Sequence, residues 1–163
     1  MYVDAGCVPP ADALNLLLSP PTRNKHADML RLANRSRITT LSKLAFVLFW
    51  AAIFTGTHIP ISEESLPPVG GDKVLHFGAY LGLSLLLATA WQLAGGVLTR
   101  RHLAFAWIAV IAYGAFDEVT QILVGRDCDI KDWLADAAGA AAGLLLFVVL
   151  RRLLVARVQL AEE

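Results

Sequence analysis

The chain has 163 residues, 56% of them hydrophobic and 17% charged, and its 14 basic and 14 acidic residues cancel to a net charge of zero. A soluble domain typically carries roughly 25% charged residues. With a mean hydropathy of +0.57, the composition excludes an ordinary soluble domain and nucleic acid as a partner, and points to one small polytopic membrane domain.

Residues 1–43 come first. Pro9-Pro10 and Pro20-Pro21 break any early helix, and the cluster Leu14, Leu16, Leu17 and Leu18 is too short to span a bilayer. From Arg23 the segment turns basic, through Lys25, Arg31, Arg35, Arg37 and Lys43. This pattern predicts a poorly ordered tail with a short juxtamembrane helix. The alternative is a basic helix lying on anionic lipid.

Residues 44–154 hold four apolar runs: Leu44 to Ile61, Val74 to Leu93, Leu103 to Val124 and Asp132 to Leu154. Each approaches or exceeds the ~20 residues a spanning helix needs. Basic residues ahead of the first run also suit a signal peptide. The long lead-in and the lack of an Ala-x-Ala site predict an uncleaved anchor instead. Ser62 to Gly71, rich in Pro, Gly and Glu, is a loop; Gly95-Gly96 ends the second run, and Gly125 to Lys131 is a charged turn. The prediction is an all-α, four-helix membrane protein.

Basic residues set the orientation. The N-terminal tail, Arg100-Arg101, and Arg151, Arg152 and Arg157 fall on one side if there are four spans. Both termini, including the tail 155–163, are then cytoplasmic in a multi-pass protein of the cell membrane. Cys7 and Cys128 would lie on opposite faces, and they fit no zinc or redox spacing.

That topology gathers polar residues at the outer ends of three helices. Lys73, His76 and Tyr80 are spaced i, i+3, i+7, as are Asp129, Asp132 and Asp136, while Tyr113, Asp117, Glu118 and Gln121 occupy the end of the third run. Lipid cannot satisfy such groups, so they must face one another or a wet pocket. The other halves, Leu81 to Ala90, Ala104 to Ala112 and Ala140 to Leu150, are nearly all apolar, which weighs against a transmembrane conduit and in favour of a pocket opening outward. Two GxxxG motifs, Gly78 to Gly82 and Gly139 to Gly143, predict close packing of the second and fourth helices beneath the polar stripes. The first helix, without charge between Leu44 and Thr57, has least to offer the site.

Three strings, DKVLHFGAY (Asp72 to Tyr80), YGAFDEVTQ (Tyr113 to Gln121) and GRDCDIKDWLADAAGAAAG (Gly125 to Gly143), resemble the signature blocks of the VanZ-like membrane proteins in order, spacing and setting. The matching positions are Asp72, Lys73, His76, Phe77 and Tyr80, then Tyr113, Glu118 and Gln121, then Arg126, Asp132, Gly139 and Gly143. One position departs: the family usually carries Asn where this chain has Asp136. The resemblance implies a cell-envelope setting, and its name comes from a member associated with low-level glycopeptide resistance. No settled activity comes with it.

Three readings fit these residues. In the first, an outward pocket of Lys73, His76, Tyr80, Tyr113, Glu118, Gln121, Arg126, Asp132 and Asp136 binds a lipid headgroup, a cell-wall precursor or another amphiphile. In the second, the chain is an intramembrane enzyme on a lipid-linked substrate. There His76 is the acid/base, Glu118 with Asp132 or Asp136 forms an acid/base pair or a ligand set, and Lys73 and Arg126 take a phosphate. In the third, the cations merely neutralise the acids and staple the helices. The chain has no HExxH-type motif and no nucleophile–base pair, so no metal, cofactor or oligomeric state is assigned. Asp72, Asp117, Glu118, Asp127, Asp129, Asp132 and Asp136 nevertheless outnumber Lys73, Arg126 and Lys131.

Overall fold

The computed structural model describes residues 25–59, 71–125 and 128–161. Four helices occur in order: α1 (Lys25–Thr57), α2 (Gly71–Gly95), α3 (Arg100–Gln121) with a 3-10 turn at Ile122–Val124, and α4 (Ile130–Leu160). All four are long and apolar enough to cross a membrane, and no strand occurs among the described residues. The chain divides into two compact units, Met1–Arg35 and Ser36–Glu163. The second unit holds the helix bundle.

Helix ends follow local chemistry. No Pro or Gly lies between Pro21 and Gly56. Helix α1 therefore begins at Lys25, well before the apolar run at Leu44 where the sequence places the first span. Lys, Arg, Leu and Ala are good helix formers, so charge did not end the helix. At the far end of α2, Gly96 takes a left-handed φ of 93° and its N–H bonds the Gln92 carbonyl at 2.9 Å. Thr99 then caps α3 in a reciprocal box with His102. Gly125, at φ 80°, closes the 3-10 turn. Asp129 caps α4, accepting the Lys131 N–H at 2.9 Å.

Helices α2 and α4 form the tightest contact. A Cβ on Gly139 would collide with the backbone carbonyl of Phe77, and one on Gly143 with the Leu81 carbonyl and the Ser84 hydroxyl. These two glycines let the backbones touch. The other motif divides differently. Gly82 faces the Phe49 ring of α1, at 2.8 Å from where a Cβ would stand, and Gly78 faces open space. Indole N–H groups join α3 to α4: Trp107 Nε1 donates to the Ala137 carbonyl at 3.1 Å and Trp133 Nε1 to that of Ile111 at 2.9 Å.

Burial is inverted relative to a soluble bundle. Long apolar side chains such as Val74, Leu75, Phe105, Phe116, Val119 and Leu145 are exposed, whereas His76, Ser84, Asp117, Glu118, Gln121, Asp132 and Asp136 are buried. In water that arrangement is costly; in lipid it is the stable one, because polar groups must find partners inside the bundle. The interior has two ends. Near Gly96 it is apolar, with Ala88, Leu98, Ala106, Leu144 and Phe147 packed together. There Arg151 crosses from α4 to donate to Gln92 Oε1 at 3.3 Å and to the Leu98 carbonyl at 3.1 Å. Near Asp129 the interior is acidic.

Candidate functional site

At the acid-rich end each helix contributes a face. Helix α2 brings Asp72, Lys73, His76 and Tyr80, α3 brings Tyr113, Asp117, Glu118 and Gln121, and α4 brings Asp132 and Asp136 behind its cap Asp129. The i, i+3, i+4 and i+7 spacings place these groups over successive turns of one side of each helix. Helix α1 adds Thr57 and, just past its end, His58. Their side chains form three linked groups.

The first centres on Asp117. Its Oδ1 accepts from the Thr57 hydroxyl at 3.2 Å and the Tyr113 hydroxyl at 3.4 Å, and its Oδ2 from the Gln121 amide at 3.3 Å. His58 Nδ1 stands 3.8 Å from Oδ1. That nitrogen carries its hydrogen, because it also lies 2.8 Å from the Phe54 carbonyl, which can only accept. His58 Nε2 meets the Thr120 hydroxyl at 3.0 Å. Asp117 is thus well supplied by neutral donors.

The second group is an ion-pair staple. Lys73 Nζ lies 3.0 Å from Asp132 Oδ1 and 3.4 Å from Asp129 Oδ2, joining α2 to the start of α4. The backbone N–H of Lys131, with Lys73 beyond it, holds the Asp129 carboxyl below the usual carboxylate range. Glu118 Oε2 accepts the Asp129 N–H at 3.2 Å, which ties α3 to the same cap.

The third group is the least satisfied. His76 Nδ1 lies 2.9 Å from Asp136 Oδ1 and 3.9 Å from Glu118 Oε1, and its Nε2 lies 3.8 Å from Asp72 Oδ1. Asp136 and Tyr80 are wholly buried. Even so, Asp136 Oδ2, Glu118 Oε1 and the Tyr80 hydroxyl have no hydrogen-bond partner. Asp132 Oδ1 also lacks an aligned hydrogen bond, but at 3.0 Å from Lys73 Nζ it is electrostatically paired, so it is not counted with them. Gly114 opens the space between α2, α3 and α4: a Cβ there would stand 3.1 Å from Asp136 Oδ2 and 3.4 Å from the Tyr80 hydroxyl.

Glu118 also opens outward. A groove of about 390 Å³ between α3 and α4 is lined by Ala115, Glu118, Val119, Cys128, Asp129, Ile130 and Trp133. Its wall is mainly apolar, Val119 and Ile130 are exposed, and Cys128 is a free, exposed thiol. A polar cluster inside the bundle and an apolar groove on its surface therefore share one carboxylate.

Of the residues that the sequence singles out, Lys73, His76, Tyr80, Tyr113, Glu118, Gln121, Asp132 and Asp136 come together at this end. Arg126 and Cys7 lie outside the described residues. Thr57, His58 and Asp117 are stronger participants than their sequence context suggests. Asp117 had a readable signal, standing four residues from both Tyr113 and Gln121. The reach of α1 to Asp117 had none, because Thr57 and Asp117 are 60 residues apart.

The sequence model of the VanZ/LLP1 family matches residues 15–151. No curated protein and no solved structure matches the chain.

Proposed function

The chain belongs to the VanZ/LLP1 family, and from that footing we propose that it is a cell-envelope membrane protein that binds an amphiphile, a lipid or a cell-wall precursor, at its acid-rich end. The polar part of the ligand meets Glu118 and the groups behind it, and the apolar part lies in the groove between α3 and α4. The observation that carries this reading is Glu118: it is buried, one of its oxygens is unpartnered, and it borders an apolar groove on the surface of the bundle. An unsatisfied buried carboxylate is costly in a structural role and useful in a binding one.

The acid-rich end faces away from the cytoplasm in this proposal. Arg100, Arg101, Arg151 and Arg152 gather at the opposite end, as the positive-inside bias favours. An impermeant maleimide applied to intact cells should modify Cys128; protection of Cys128 until the cells are lysed would reverse the orientation.

The binding test fills the groove without touching the polar cluster. Val119→Trp should remove the amphiphile that copurifies with wild-type protein from native membranes, at unchanged yield of folded protein. An identical lipid complement in both, matching that of an unrelated membrane protein, would end this reading. A second reading is favoured by one distance, the 2.9 Å between His76 and Asp136. A carboxylate that orients an imidazole makes His76 an acid/base on the bound amphiphile, with Glu118 beside it and Asp132 held by Lys73.

A further inference from the structure

The buried acids at this end are unevenly served. Asp117 has three hydrogen-bond donors, and Asp132 has Lys73. Glu118 and Asp136 have neither: among the described residues no Lys or Arg pairs with them, and each keeps one oxygen without a hydrogen-bond partner. The Tyr80 hydroxyl, wholly buried and also without a partner, looks onto the same space beside Gly114 as Asp136 Oδ2. Two carboxylates at this depth call for a positive charge.

We propose that His76 Nδ1, Glu118 and Asp136, with the Tyr80 hydroxyl beside them, bind one divalent transition-metal ion of the zinc or manganese class between α2, α3 and α4. The three ligand atoms lie within 4.8 Å of one another. That spacing suits donors sharing one ion at bond lengths of about 2.0–2.2 Å after small side-chain adjustments. One imidazole nitrogen with carboxylate oxygens suits these ions. Magnesium keeps several waters in an octahedral shell, and calcium needs more oxygen ligands than this pocket supplies. On binding, Nδ1 gives up its hydrogen to become a ligand and Nε2 carries one instead. Asp72 Oδ1, 3.8 Å from Nε2, then accepts that hydrogen after a small side-chain shift and orients the metal-bound histidine. The neighbouring set of Asp72, His76 and Asp132 is the weaker choice, because Lys73 already sits 3.0 Å from Asp132 and repels a cation.

The site stands whether or not an amphiphile binds. Detergent-purified full-length protein without a histidine tag is stripped with a chelator, titrated with zinc and with manganese, and assayed by elemental analysis after gel filtration. The wild type should retain about one ion per chain, and Glu118→Gln and Asp136→Asn should each weaken binding by at least about tenfold while remaining helical. If Asp136→Asn does not fold, Glu118→Gln carries the test, since its amide oxygen can still accept the Asp129 N–H. Lys73→Met should bind the ion about as tightly as wild type; markedly tighter binding there would move the site to Asp72, His76 and Asp132, which Lys73 otherwise repels, and overturn the assignment. Folded wild-type protein that takes up neither ion, or variants that bind as tightly as wild type, would overturn it too.

Discussion

The two ends of the bundle solve the burial problem in opposite ways. Near Gly96 the helices bury Ala88, Leu98, Ala106, Leu144 and Phe147, and the long cation Arg151 bonds both Gln92 and the Leu98 carbonyl at hydrogen-bond distance. Near Asp129 they bury Asp117, Glu118, Asp132 and Asp136 around His76, with unpartnered oxygens left over. Between these ends lie Gly139 and Gly143, where the α2 and α4 backbones meet. The apolar end and the glycine seam use all their groups for cohesion. The acidic end has its own ties through Lys73, Asp129 and Asp117, and in the proposed function its unpartnered oxygens are what meets a ligand.

The largest effect should come from the seam. Gly143→Val places a side chain against the Leu81 carbonyl, backbone that cannot move aside, and should cost about 3 kcal/mol or more and sharply lower the yield of folded protein. A thermal or denaturant midpoint in detergent close to that of wild type would break the contrast. At the apolar end, Arg151→Met removes two hydrogen bonds and should lower stability by about 1 kcal/mol. Trp133→Phe deletes the α3–α4 bond to Ile111 and should cost about 0.6–1 kcal/mol in the same assay. Gly78→Ala meets open space and should be neutral, or stabilising by up to about 1 kcal/mol through helix propensity. Equal losses in Gly78→Ala and Gly143→Val would show that both motifs pack, contrary to the geometry.

These contrasts also mark what the sequence could carry. The four spans were legible because apolar runs of spanning length, punctuated by Gly, Pro and charge, leave few alternatives. The polar stripes were legible because helical spacing puts Lys73, His76 and Tyr80 on one side of α2 without reference to any partner. The start of α1 was not: basic residues marked a tail, while the absence of Pro and Gly from Thr22 to Thr55 governed the backbone. Nor could GxxxG say which neighbour each glycine meets, since Gly78 and Gly82 differ only in what the other helices bring to them. The role of Asp117 as a hub for α1 depends on tertiary contact alone.

The central contrast, a cohesive end and a binding end, rests most directly on the stability of Glu118→Gln. Its unfolding midpoint in detergent should stay within about 0.5 kcal/mol of ligand-free wild type, or rise above it, because the amide keeps the Asp129 hydrogen bond and removes a buried charge. If the cluster were instead a structural staple, breaking it would cost about 3–5 kcal/mol. A loss of that size would contradict the binding role.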